Sequence, residues 1–182
     1  GYRALDPDLL LWVQATLIAT SVQAYRRWVG PLAADDLEAF WAEARAVGVR
    51  MGIPLARSPA DWPAFEAYWA GMLDPAGPIH VTATARRLGR LVVRAPLPFV
   101  PGPLAGLLTL PAVDLLPARL RAEYGLPWGP GRARVAAVLH ASVRTWAHLL
   151  PRTWRSLPQA RSADARATRY RGPHPRSDAG RA

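Results

Sequence analysis

Between Leu9 and Tyr25 the chain carries no charged residue, and this run is opened by Asp6-Pro7-Asp8 and closed by Gly30-Pro31. That punctuation constrains the fold more than any other feature. Asp6 is suited to accept the free amide protons of a helix start. Pro7 fits the first helical position, where no amide donor is needed. Gly30-Pro31 cannot continue a helix. The spacing predicts one long helix from Pro7 to about Trp28. From Leu9 to Val13 every side of it is apolar, so it is expected at the centre of the molecule, packed all round. Gln14 sits in the middle of that apolar part. An unsatisfied buried amide costs on the order of 1–3 kcal/mol, so the sequence asks what satisfies this one. The run does not read as a membrane span. Gln14, Thr16, Thr20, Ser21 and Gln23 interrupt it, whereas about 20 predominantly apolar residues are needed. It does not read as a secretory leader either, because Asp6 and Asp8 stand where basic residues belong. A cytoplasmic location is therefore expected.

The rest of the chain is punctuated in the same way. A second helix is expected over about Asp35–Val49, with Asp35, Asp36 and Glu38 in the turn that favours acids. Its apolar stripe reads Leu37, Phe40, Trp41, Ala44 and Val47. Asp61 caps a third helix carrying Phe65, Tyr68, Trp69 and Met72, which ends at Asp74-Pro75. Thr82 or Thr84 caps a fourth, Ala85–Arg94, with Leu88, Leu91 and Val92 expected to face inward. Pro96, Pro98, Pro101, Pro103 and Pro111 then interrupt an apolar run, which cannot be one straight helix. An extended turn and short helices are expected there, followed by another from Pro117 to Tyr124-Gly125. Arg132–Leu150 reads as the last amphipathic helix, with Val135, Val138, Leu139, Ser142, Trp146 and Leu149 on its apolar side. Beyond Pro158 there is no periodicity, and residues 159–182 read as a disordered Arg-rich tail. The fold class is all-α: an irregular multi-helix bundle around a central buried helix, with a Pro-rich apolar connection and a basic tail. The helical domain is expected over 1–158.

Chemistry is harder to find. The chain has no Cys, so disulfides and thiolate chemistry are excluded. His140 and His148 stand eight residues apart on one helix, roughly 12 Å and too far to share a metal ion. They are expected to be partly exposed. His80 stands beside the Thr82 cap, as a loop histidine or a lone ligand. No HExxH, P-loop, GxSxG or GxGxxG motif is present. The acids Asp35, Asp36, Glu38 and Glu43 read as caps and solvation, and the eight Trp as core or the wall of an apolar pocket. All 23 basic residues are Arg, which fits coding bias better than selection for phosphate forks. Residues 1–118 hold 10 Arg and 10 acids, whereas residues 119–182 hold 13 Arg and 3 acids, so the net charge of +10 lies in the C-terminal third. A solvated tail is the simplest reading. Surface binding to an anionic membrane is the alternative, and nucleic acid is not expected, since no binding motif accompanies the charge.

The run Tyr2-Arg3-Ala4-Leu5-Asp6-Pro7-Asp8-Leu9-Leu10-Leu11-Trp12-Val13-Gln14-Ala15-Thr16-Leu17 resembles the signature of the MpaB-type oxygenases, which include the latex-clearing rubber oxygenases. Val29-Gly30-Pro31-Leu32, Arg50-Met51-Gly52-Ile53-Pro54, Ala67-Tyr68-Trp69-Ala70-Gly71-Met72-Leu73, Val81-Thr82-Ala83-Thr84-Ala85-Arg86 and Leu115–Trp128 follow in the family's order. The resemblance covers about residues 1–158. It implies an all-α fold around haem b, with oxygenase activity on an apolar small-molecule substrate. The family's central helix reads Trp-Val-His-Ala-Thr, its His being an axial haem ligand. Here Trp12-Val13-Gln14-Ala15-Thr16 stands in its place, and Gln lacks the imidazole nitrogen that holds iron. Ala19 also replaces an acid common among relatives. The family's N-terminal helices, with a second His-containing motif, have no counterpart after Gly1. By resemblance Trp12, Gln14 and Thr16 are the cofactor-binding candidates, and no catalytic residue is singled out. Three readings of Gln14 remain open: a pocket residue bonding a ligand or water, the mark of a copy that no longer holds haem, or a core amide bonded to a neighbouring helix. The alternative to an oxygenase is a non-catalytic helical remnant or interaction module that needs a partner chain.

Overall fold

A computed structural model of the chain describes residues 3, 5–93, 106–150, 162 and 166. Among these the fold is all-α. The helices are α1 (Pro7–Trp28), α2 (Ala34–Arg50), α3 (Trp62–Leu73), α4 (Ala83–Val93), α5 (Leu110–Leu115), α6 (Ala118–Glu123) and α7 (Pro130–Leu149), with a 3-10 turn at Leu55–Arg57. The chain divides into two compact units, Gly1–Arg144 and Thr145–Ala182. In the second, the last turn of α7 continues until the Leu150 amide bonds the Trp146 carbonyl at 2.9 Å. The site lies wholly in the first. The expected extended turn at 95–103 and the expected tail at 159–182 fall outside the described residues, Ser162 and Arg166 apart.

The helix starts follow from their caps. The Asp6 carboxylate accepts from the Asp8 amide at 2.9 Å, Asp61 accepts from Ala64 at 2.8 Å, and Thr82 accepts from Ala85 at 3.1 Å. Gly52 and Gly125 turn the chain after α2 and α6 at φ of 100° and 65°, a region that side chains disfavour. Glu38 of α2 reaches the Trp62 amide at 3.1 Å and ties the start of α3 to α2.

The core lies where α1, α2 and α3 meet. Ala15 and Val22 of α1 pack on Leu37, Trp41 and Ala44 of α2 and on Trp62 and Phe65 of α3. The Trp41 and Phe65 rings stand 4.5 Å apart, and Trp62 and Phe65 stand 5.0 Å apart. α1 touches α2, the 3-10 turn and α5, so it is the central element. It is not packed all round, contrary to the sequence expectation. Leu9, Val13 and Leu17 form an exposed stripe at i, i+4 and i+8, because its neighbours cover only the remaining faces. Three further faces differ from expectation. On α2 the buried stripe is Leu37, Trp41, Ala44 and Gly48, while Phe40 and Val47 are exposed. On α7 it is Ala136 and His140 that are buried, while Val138, Trp146 and Leu149 are exposed. On α4 no residue is buried, and Leu88, Leu91 and Val92 face outward. No helix among the described residues is long and apolar enough to cross a membrane.

Candidate functional site

α1 presents Trp12, Thr16, Ala19, Thr20, Gln23 and Arg26 along one face, and this face forms the floor of a cavity of about 560 Å³. α3 adds Trp62, Phe65, Glu66, Trp69 and Leu73. The far wall is the segment Ile79, His80 and Val81 together with Leu115, Leu116, Pro117, Leu120 and Tyr124. Most of the wall is apolar, and the Trp12 and Trp69 rings stack across it at 5.4 Å and 19°. The Thr16 and Thr20 hydroxyls donate back to their own helix, to the Val13 carbonyl at 2.7 Å and the Thr16 carbonyl at 2.6 Å. They therefore offer acceptor lone pairs rather than protons to an occupant. The volume lies within the range of cavities that take organic molecules.

The far wall is held by one ion pair. Arg119 bonds Glu123 one turn on, and its guanidinium also donates to the carbonyls of Leu73 at 3.0 Å, Asp74 at 2.7 Å and Ile79 at 2.8 Å. Glu123 in turn accepts from the Val81 amide at 3.2 Å. The Arg119 hydrogen bond, then the Val81 bond, hold the Glu123 carboxyl below its ordinary value, with the charges of Arg119 and nearby His80 adding to it. The loop that carries His80 to the cavity is thus fastened to α6.

A second polar cluster closes the end of α1. The Trp28 indole donates to Nδ1 of His140 at 2.9 Å, so the imidazole proton resides on Nε2, which faces Asp114 Oδ2 at 3.2 Å. Arg27 bonds the same carboxylate oxygen at 3.1 Å. Arg121 caps α5 through the Asp114 and Leu116 carbonyls, both at 2.9 Å, and lies over the Trp128 ring at 4.7 Å. His140, expected to be partly exposed, is 4% exposed. It is a joint between α1, α5 and α7 and does not line the cavity.

Of the three cofactor-binding candidates, Trp12 and Thr16 line the cavity and Gln14 does not. Gln14 is buried against α2, where its amide nitrogen donates to the Ala44 carbonyl at 2.5 Å. Its Oε1 has no hydrogen-bond partner among the described residues. The carboxamide lies over Gly48, so close that a Cβ there would meet Oε1 at 2.7 Å. Of the three readings left open by the sequence, this placement is that of a core amide bonded to a neighbouring helix. The residues do not fit haem iron at this position. The amide is engaged by α2, and the space beside it is taken by the α2 backbone.

Sequence reasoning did not single out Trp69, Tyr124 or the Arg119–Glu123 pair as parts of a site. Their positions 69, 119, 123 and 124 lie within the segments quoted for the resemblance, which was the available signal.

Residues 1–152 match the family described as "ER-bound oxygenase mpaB/B'/Rubber oxygenase, catalytic domain". An uncharacterized protein of Mycobacterium bovis and one of Mycobacterium tuberculosis are each 32% identical over 159 residues, covering 85% of this chain and 60% of theirs. The chain therefore spans about 60% of the length of these curated relatives. No solved structure matches it.

Proposed function

The chain belongs to the MpaB and rubber-oxygenase catalytic-domain family, and from that premise we propose that its aromatic cavity receives the apolar organic substrate of an oxygenase, with no haem iron held through position 14. The observation that carries this reading is the cavity itself: about 560 Å³, walled by Trp12, Trp62, Phe65, Trp69 and Tyr124. Apolar surface of that extent favours a hydrocarbon body, and the stacked Trp12–Trp69 pair favours a flat or unsaturated one. The volume takes a small molecule or one segment of a longer chain. The carboxamide that stands at the expected ligand position instead joins α1 to α2 through Ala44. On this reading position 14 supplies no ligand to a haem iron.

Titration of the full chain with a long-chain alkene or an isoprenoid, followed by tryptophan fluorescence, tests the first part. Saturable quenching is expected, and Trp69→Ala is expected to weaken binding by about tenfold or more, as truncation of a central aromatic contact does. Absence of a saturable signal overturns it. Titration with haem b tests the second part. A Soret shift that disappears in Gln14→Ala would show that position 14 ligates iron after all.

A further inference from the structure

α4 is a two-sided helix whose apolar side is not covered by any of the described residues. Ala85, Gly89 and Val93, one stripe at i, i+4 and i+8, are its half-buried residues. At Gly89 the backbone approaches Tyr124 so closely that a Cβ would meet the ring at 2.7 Å. This stripe is the face that α4 turns to the protein. Leu88, Leu91 and Val92 lie beside it and are 53%, 62% and 74% exposed. By helical spacing they share one arc. On the opposite arc stand Arg86, Arg87 and Arg90. Arg86 is anchored to the Glu123 carbonyl at 2.6 Å, and Arg90 reaches back to the Arg86 carbonyl at 3.4 Å. Arg87 has no protein partner among the described residues. In the sequence, no acidic residue lies between Asp74 and Asp114. The segment around α4 therefore carries no negative side chain of its own.

An exposed apolar arc on a helix whose other exposed arc carries arginines, with no acid of its own and Glu123 already engaged by Arg119, is the pattern of a helix that lies in a membrane interface. Leucine and valine side chains enter the acyl boundary, and guanidinium groups meet anionic headgroups. A second protein would satisfy the apolar arc but not the arginines, unless it were itself acidic. A second copy of this chain offers no such surface at α4. We propose that α4 is a membrane-surface anchor that seats this domain on an anionic bilayer, with Leu88, Leu91 and Val92 inserted and Arg87 and Arg90 on the headgroups. The same helix packs against Tyr124, which lines the cavity, and follows directly on His80 and Val81 of the cavity wall. Seating α4 on a bilayer brings the cavity beside the phase in which apolar molecules dissolve. The anchor itself stands independently of what the cavity binds.

Flotation of the full chain with vesicles decides the matter. The vesicles are phosphatidylcholine alone and phosphatidylcholine with about 30% phosphatidylserine, a strongly anionic surface. Binding is expected to the anionic vesicles and to weaken with added salt. Leu91→Asp and Leu88→Asp are each expected to lower the partition coefficient by at least about tenfold, the fold-change for withdrawing one leucine from an apolar phase. Arg87→Glu together with Arg90→Glu is expected to abolish the preference for anionic lipid. Circular dichroism of each variant checks that helix content is kept, and Leu91→Ala serves in place of any variant that loses it. Absence of binding to anionic vesicles overturns the proposal. So does binding that survives the leucine substitutions but is lost on truncation after Pro158, because the Arg-rich end would then be the contact. Concentration-dependent dimerisation that Leu91→Asp abolishes, without vesicle binding, would assign the face to a second copy and also overturn it.

Discussion

Replacing Gly48 by alanine is expected to destabilise the protein while Gln14 is present and to stabilise it once Gln14 is removed. A Cβ on Gly48 falls 2.7 Å from Gln14 Oε1, 2.9 Å from Nε2 and 3.2 Å from Cδ. All three of the nearest atoms belong to Gln14, so its side chain is the first that has to give. It is 5% exposed and its nitrogen is bonded to the Ala44 carbonyl, so moving it breaks that bond inside the core. Leaving buried polar groups unpaired costs about 1–3 kcal/mol. Against this, alanine is favoured over glycine in a helix interior by about 0.8–1.0 kcal/mol. The net expectation for Gly48→Ala is a loss of up to about 2 kcal/mol, or a few degrees in Tm for a chain of this length. In a Gln14→Ala background the clash is gone, and the same substitution is expected to gain about 0.8–1.0 kcal/mol. Urea denaturation of the four proteins, followed by circular dichroism and by tryptophan fluorescence, closes the cycle. The coupling between the two sites is expected at about 1–3 kcal/mol. A coupling below about 0.5 kcal/mol, the scatter of independent sites, would refute the lock between α1 and α2.

Asp114→Ala removes the acceptor shared by Arg27 and His140 and is expected to cost about 1.5–3 kcal/mol, read by the same denaturation, with an unchanged midpoint ruling out the joint. Gly89→Ala places a Cβ 2.7 Å from the Tyr124 ring and is expected to cost about 1–3 kcal/mol by overpacking, offset in part by helix propensity; a stabilised variant would show that α4 is not seated on that ring. The Glu123 carboxyl lies below its ordinary value of 4.5, so the Arg119–Glu123 fastening is fully present above that pH and is lost as pH falls through the lower, folded-state value. The protection factor of the Val81 amide, with the intrinsic pH dependence of exchange divided out, is expected to fall on acidification in that window, and Glu123→Gln is expected to remove that dependence; an unchanged profile in the variant would release Glu123 from this role.

The ends of the helices were legible in the sequence and their faces were not. Asp6, Asp61 and Thr82 announce starts because capping is a local event, settled within a few residues of chain. Faces are settled by neighbours. Val47 is more apolar than Gly48, and Val138 more apolar than Ala136, yet Gly48 and Ala136 are the buried ones. Close approach of two helices selects small side chains, and a ranking by hydrophobicity points elsewhere. His140 is buried because Trp28 and Asp114 satisfy both of its nitrogens, partners that lie 112 and 26 residues away. On α4 the periodicity was read correctly and its direction was not, since an amphipathic pattern does not say which medium meets the apolar side. The cavity was half visible. Trp12 and Thr16 belong to it, but Trp69, Leu120 and Tyr124 join it only through tertiary packing. The partner of Gln14 is a backbone carbonyl, which has no signature in a sequence.

Helical geometry turns the placement of Gln14 into a constraint on function. Successive residues turn by about 100°, so position 14 points some 160° away from position 12 and about as far from position 16. Trp12, Thr16, Ala19 and Gln23 share the cavity face, and no rotation of α1 brings Gln14 to that face without withdrawing Trp12 and Thr16 from it. A group bound at position 14 has to approach from the side of α2, where Gly48 is the residue that makes room and the carboxamide already fills it. The two sites on α1 are therefore separate. One takes an occupant of about 560 Å³ between aromatic rings, and the other holds a helix. Substituting histidine at position 14 would put an imidazole against α2 rather than over the cavity. Gln14→His is accordingly expected to leave the haem b spectrum unaltered unless α2 also moves, a displacement that would register as lost helix stability before any iron was bound.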